Sequence, residues 1–307
     1  MIFGMILTVV GLVLFETISS IDNAIINAEV LSTMKEKARR WFLIWGILIA
    51  VFLVRGLLPW IIIWATTPSL GPIGAITATF SNDPSVMHAI ESSAPILLAG
   101  GGMFLVLLFF HWLFLEQKNV GLRHEPFFMR NGGWFYAIAS IILLVTVWFG
   151  IKINPFMAFG AVAGSTAFFI THGFKQFAEQ TEHDLLENSS AKSDLSKILY
   201  LEVIDATFSI DGVLGAFAFT LSVPLILIGN GIGAVVVRQL TIGNIDRVKK
   251  YAFLKNGAMY SVLVLGSIML FDAFGIHIPH WLSPVVTIGI VWYFFQKSRK
   301  LHKKLNA

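Results

Sequence analysis

The chain has 307 residues, of which 13% are charged and 56% hydrophobic, with a mean hydropathy of +0.77. A soluble globular chain carries about 25% charged residues, so soluble folds are excluded, and the high hydropathy excludes disorder. With no cysteine, disulfide frameworks, Cys-ligated zinc and thiol chemistry are excluded as well. What remains is an all-α polytopic membrane protein. A transmembrane helix needs about 20 mainly apolar residues. In chain order, nine segments meet that description: 2–33, 41–65, 94–116, 134–150, 155–172, 198–220, 224–240, 252–272 and 284–296. The first is long and interrupted by polar residues. It lacks the basic start and small-residue cleavage pattern of a signal peptide.

Basic residues set the expected orientation. The loops 34–40, 117–133, 173–197 and 241–251 and the tail after 296 hold 18 Lys and Arg, against one, Lys152, in the alternate loops. The positive-inside rule then puts the N-terminus outside and the C-terminus in the cytoplasm. The pI near 9.3 is thereby a topology signal, and nucleic acid is not an expected partner. The lipid bilayer is. No targeting extension is evident, which suits a prokaryotic inner (plasma) membrane.

The chain reads as a single transmembrane domain over 1–307 with an internal duplication. Glu16-Thr-Ile-Ser-Ser-Ile-Asp22-Asn23 aligns with Asp205-Ala-Thr-Phe-Ser-Ile-Asp211-Gly212. Gly46 precedes Arg55 by nine residues, as Gly229 precedes Arg238. Met103 and Met259 are each followed thirteen residues later by an acid, Glu116 or Asp272. Repeat one covers about 5–116 and repeat two about 198–272, so spans 1–3 match spans 6–8. Their orientations are opposite, and inverted repeats with interrupted helices mark secondary-transporter sites near the bilayer midplane.

The acids inside spans 1 and 6 are the main candidates for chemistry. Intramembrane carboxylates are costly and face a bundle interior or cavity. Glu16 and Asp22 flank the middle of span 1; Asp205 and Asp211 flank that of span 6, with Glu202 one turn earlier. Six residues of ideal helix place the two acids of each motif about 120° apart. A break at Ser19-Ser20 and at Phe208-Ser209 would let all four converge, so helices 1 and 6 are expected to be interrupted there. Ser19, Ser20, Ser209 and Asn23 would add oxygens. Converging carboxylates must share protons or hold a cation. An all-oxygen donor set favours Mn²⁺, Ca²⁺ or Mg²⁺. Arg55 and Arg238 lie toward span ends, where a guanidinium can reach the interface; the alternative for either is pairing with a site carboxylate. Glu29 lies two turns beyond Asp22, as an exit ligand or a solvated helix-end acid. His111 and His172 read as interface histidines or a proton relay. The glycines at 100–102 and 229–233 read as helix-packing positions, and Asn230 as a pathway residue.

The paired Glu16-x-x-Ser19-x-x-Asp22-Asn23 and Asp205…Ser209-x-Asp211 motifs resemble the TerC family of integral membrane proteins, and within it a divergent branch formerly of unknown function. The resemblance covers roughly residues 5–296 and implies an architecture similar to LysE-type exporters. The family is associated with Mn²⁺ efflux, with metal loading of exported proteins and, by name, with tellurium resistance. Carried over, its metal ligands would be Glu16, Asp22, Asp205 and Asp211, with Asn23 beside them. The chain departs at Asp205, which replaces a Glu, and at Gly212, which stands in the Asn23 position and leaves repeat two one ligand short. The expected function is therefore a non-enzymatic exporter of divalent cations, Mn²⁺ first, by exchange with protons or another cation. The alternatives are a metal-delivery or scaffold partner of a secretion translocase, and an intramembrane aspartic protease. The protease's usual Tyr-Asp and Gly-x-Gly-Asp contexts are missing. A homo-oligomer is a further possible assembly.

Overall fold

The computed structural model describes residues 2–46, 49, 55–80, 84–187, 193–243, 250–279 and 281–305. Within these ranges it does not describe the side chains of Asp22, Leu43, 77–80, 84–91, 176–187, Phe208, 242–243, 304 and 305. The helices are α1 (Ile2–Ser19), α2 (Ile21–Ser32), α3 (Glu36–Trp41) running into a π-helical turn (Phe42–Gly46), α4 (Arg55–Thr66), α5 (Gly71–Phe80), α6 (Pro84–Leu115), α7 (Glu125–Arg130), α8 (Trp134–Ile153), α9 (Pro155–Glu187), α10 (Asp194–Ala216), α11 (Val223–Gly243), α12 (Leu254–Ala273) and α13 (Leu282–Leu305). No strand occurs among the described residues.

The architecture is all-α and polytopic, and among the described residues each predicted span is mostly helical. Among the described residues, six helices are long and apolar enough to cross a membrane: α1, α6, α8, α9, α11 and α12. The count is seven if α4 and the segment after it form one bent span. The acids of α10 and the basic end of α13 keep those two helices outside that count. Side chains exposed on α8 and α9 are large and apolar, among them Trp134, Leu144, Trp148, Phe156 and Phe159. In water such a surface would aggregate; against lipid it is the expected solvent-facing belt.

Local signals set the helix ends. Asn154 Oδ1 accepts from the Phe156 amide at 2.9 Å, and Pro155 opens α9, an N-cap followed by proline at N1. Ser193 Oγ accepts from the Ser196 amide at 3.3 Å and starts α10. Lys197 is buried at the start of α10 and donates to the Thr33 carbonyl at 3.2 Å, at the end of α2. A lysine there satisfies a C-terminal carbonyl and meets the negative end of the helix dipole.

The structure corrects two expectations about these elements. Helix 6 is not interrupted: α10 runs unbroken from Asp194 to Ala216. The Ser209 hydroxyl donates to the Asp205 carbonyl at 2.6 Å, an i−4 bond that lets serine remain inside a helix. Helix 1 is interrupted only at Ser20, and its ladder carries through, with Ser20 N–H on Glu16 O at 3.1 Å and Ala24 N–H on Ser20 O at 2.9 Å. The segment 66–93, expected as an outer loop, is helical in its described parts. The chain bends by 102° after α4, with Gly71 at φ +66° supplying a turn that side-chain-bearing residues rarely adopt. The long α6 then begins at Pro84.

Helix α6 is the centre of the bundle. Its apolar stretch is 72% buried, whereas that of α8 is 22% buried and faces outward. Glycines allow the close crossings. A Cβ on Gly164 of α9 would fall 2.0 Å from the Gly100 carbonyl, and one on Gly102 would fall 2.9 Å from the Gly266 carbonyl of α12. The same device joins α1 to α11, where a Cβ on Gly229 would meet Leu12 and one on Gly233 would meet Glu16. The expected packing role of both glycine runs is therefore observed. Beyond these, α4 contacts α10, α1 contacts α10 and α12, and α6 contacts α10.

Candidate functional site: buried carboxylates held on internal cations

Glu16 lies on the side of α1 that packs against α10 and α11, and is 1% exposed. Its Oε1 accepts from the Arg55 guanidinium at 2.7 Å and from Ser20 Oγ at 3.0 Å. Arg55 enters from α4, itself buried, and its other terminal nitrogen lies 3.9 Å from Asp205 Oδ2 on α10. Asn23, at the start of α2, donates its amide N–H to Asp205 Oδ1. One guanidinium thus bridges an acid from each motif. A planar fork with donors on both sides suits that task; an ammonium is a single point charge.

The sequence left Arg55 and Arg238 either reaching the interface from span ends or pairing with a site carboxylate. Both are buried, at 4% and 8% exposure, and Arg55 takes the carboxylates. Arg238 of α11 lies 4.5 Å over the Phe42 ring and donates to the Phe42 carbonyl, in the π-helical turn. Glu202 sits beside the same turn: a Cβ on Gly46 would fall 2.5 Å from its Oε1.

Of the described motif carboxylates, Glu16 and Asp205 share Arg55, whereas Asp211 forms its ion pair with Lys175 of α9. Together with Ser19, Glu29, Glu116 and His172 it lines a cavity of about 380 Å³. The Asp22 side chain lies outside the described residues. Among the described residues, no three Asp, Glu or His side chains gather closely enough to hold a metal ion. The expected serine ligands are engaged otherwise. Ser19 Oγ bonds the Glu16 carbonyl at 3.3 Å, Ser209 Oγ bonds that of Asp205, and Ser20 holds the Glu16 carboxylate.

Several buried oxygens have no hydrogen-bond partner: Glu16 Oε2, Asn23 Oδ1, Asn27 Oδ1, Glu202 Oε1 and Asp211 Oδ1. Both amide atoms of Asn230 are likewise unpartnered. Buried polar groups are nearly always satisfied, so each of these atoms calls for a partner such as a water or an ion. Asn27 escaped the sequence reading, although it lies one turn from Asn23 on the same helix face. Lys175 also escaped it, counted there only as a loop charge. So did Glu125, which falls in an expected loop but opens α7 and is fully buried.

Comparison with known proteins places the chain in a family. A family model described as "Protein of unknown function (DUF475)" matches residues 21–304. The chain belongs to this family. A second similarity, 24% identity over 115 residues, is to a Bacillus subtilis (strain 168) protein described as uncharacterized membrane protein YceF. It covers 36% of this chain and 45% of that protein, so the match spans less than half the relative's length. No solved structure matches the chain. The DUF475 match includes α2, α4 and α10, hence Asn23, Arg55, Asp205 and Asp211, and starts just after Glu16.

Gly212, which the sequence aligns with Asn23, has a steric reason to be glycine. A Cβ on Gly212 would lie 2.5 Å from Glu16 Oε2. That carboxylate is already held by Arg55 and Ser20 and cannot retreat freely. Gly212→Ala is therefore expected to displace Glu16 from Arg55 and to lower stability by about 1–3 kcal/mol, the usual cost of overpacking. Thermal unfolding in detergent measures it; an unchanged melting temperature would show that the carboxylate has room to move.

Proposed function

We propose that the chain is a secondary transporter of a divalent metal cation, with Mn²⁺ the leading cargo, moved out of the cytoplasm through the Glu16–Asp205 region. One observation carries this reading. Glu16 and Asp205, one acid from each motif, are brought onto a single buried guanidinium beside unpartnered carboxylate and amide oxygens. Two carboxylates against one guanidinium leave a net negative charge inside a membrane bundle. Such a charge is costly unless a cation uses it. The donors are oxygens throughout, which suits hard divalent cations. Glu16, Asp205 and Asn23 would bind the cargo, with Asp22 a further ligand. Arg55 would hold the carboxylates between cargo ions.

The resemblance to the TerC family puts Mn²⁺ ahead of Ca²⁺ and Mg²⁺ and gives the outward direction. Two helix contacts support the duplication. Exchanging α1 with α10, α4 with α11 and α6 with α12 maps the α1–α11 contact onto α10–α4, and the α1–α12 contact onto α6–α10. Rocking of one repeat against the other would give alternating access. With the basic loops in the cytoplasm, the cavity beside Asp211 and Lys175 would belong to the cytoplasmic half.

Equilibrium binding tests the site. Purified protein in detergent is expected to bind Mn²⁺, read by the loss of the free-ion paramagnetic resonance signal. Glu16→Gln and Asp205→Asn should each weaken binding at least about tenfold, since each removes a charged ligand. Wild-type affinity in both variants would place the metal elsewhere or nowhere.

A further inference from the structure

Asp211 is the motif acid that the Arg55 cluster leaves out. Its partner, Lys175, comes from α9, which lies outside both proposed repeats. The pair is largely withdrawn from solvent, with side chains 12% and 14% exposed. Only one carboxylate oxygen is used: Oδ2 meets the ammonium, while Oδ1 is buried without a partner. Both residues line the 380 Å³ cavity, whose wall includes the apolar side chains of Phe15, Ile18, Met259 and Val262. The ammonium stands on a flexible four-carbon stem at the edge of this space. Arg55 is different. Its fork is fixed between two carboxylates and lies among packed helices.

We propose that Lys175 is the tethered counter-ion of Asp211, displaced into the cavity when a divalent cation binds there and returned to the carboxylate when that cation leaves. This rests on the transport reading above and gives it a second cation station, toward the cytoplasmic half. A bare carboxylate in a low-dielectric bundle opposes any step that moves it. A tethered ammonium removes that obstacle only for the empty carrier. A carrier that exchanges one bound cation for another never needs it.

The test separates those two steps in proteoliposomes made with the full chain. Two quantities are read: exchange of labelled for unlabelled Mn²⁺ across the membrane, and net Mn²⁺ movement down a gradient. In Lys175→Gln, exchange is expected to stay within about twofold of wild type. Net movement should fall at least about fivefold, in the range of ordinary coupling effects between sites. Lys175→Arg keeps the charge and should recover most of the net movement. The same Lys175→Gln protein in detergent should bind Mn²⁺ more tightly, because a competing cation is gone. This measurement needs no transport and also reports on folding. Equal loss of exchange and net movement, or unchanged net movement with unchanged affinity, overturns the proposal. If wild-type vesicles move no divalent cation in either mode, the transport reading fails. The binding comparison then still decides whether Lys175 competes with a cation at Asp211.

Discussion

Arg55→Met is expected to destabilise the folded protein by about 3–5 kcal/mol, the cost of breaking a buried ion pair from one side. The substitution leaves Glu16 without its 2.7 Å partner and Asp205 without its nearest cation. Glu16 is 1% exposed and the Asp205 side chain 13% exposed. Arg55→Lys should recover only part of the loss, since one ammonium cannot donate along two directions as the guanidinium does. The pair Arg55→Met with Glu16→Leu should be less damaging than Arg55→Met alone, because it removes an orphaned charge. Thermal unfolding of the detergent-solubilised proteins measures all three. If Arg55→Met melts like wild type, the guanidinium is not neutralising the two carboxylates.

The second large effect falls on Glu125, away from the motifs. This carboxylate is fully buried. It accepts from the Gly121 amide at 2.6 Å, from Asn256 Nδ2 at 3.1 Å and from Tyr260 OH at 3.2 Å. Lys297 of α13 donates to the Gly121 carbonyl, and Asn256 also donates to that of Asn119, at 3.0 Å. The knot joins the α6–α7 connection to α12 and α13. Close by, Lys118 donates to the Leu113 carbonyl at 2.7 Å at the end of α6. Burial lowers its ammonium pKa to about 8 against the opposing pull of Glu125 and Glu116. Glu125→Ala strands several donors together and is expected to cost about 2–4 kcal/mol, since each orphaned buried group costs about 1–3. Glu125→Gln keeps the acceptor and should lose less. Melting temperatures rank the variants; a Glu125→Ala protein as stable as Glu125→Gln would mean that these hydrogen bonds contribute little.

The helices were legible because lipid demands long apolar runs, and α1, α6, α8, α9, α11 and α12 each coincide with a predicted span. The α5 region was not, because Pro68, Gly71, Pro72, Asn82, Asp83 and Pro84 read as loop chemistry although α5 and the start of α6 lie among them. The motif acids were visible as costly residues in an apolar context. Their grouping was not. It depends on whether serine opens a helix or bonds within it, and Ser209 does the latter. Hydropathy does not distinguish an arginine that reaches the interface from one buried on a carboxylate, so Arg55 was visible as a candidate but not as the hub. Gly212 looked like a missing ligand until the position of Glu16 Oε2 showed what it makes room for. Lys175 and Glu125 sit in segments where charge is ordinary, and only the packing of α9 and α12 gives them partners.

Flux of Mn²⁺ in proteoliposomes is the most direct measurement of whether the buried carboxylates carry a cation across the membrane. Wild-type vesicles should move Mn²⁺ down its gradient, and Asp205→Asn vesicles with the same protein content and melting temperature should move it at least about tenfold more slowly, the scale expected when a charged ligand is lost. Equal flux in the two, or none above protein-free vesicles in wild type, would contradict a transport role for this site.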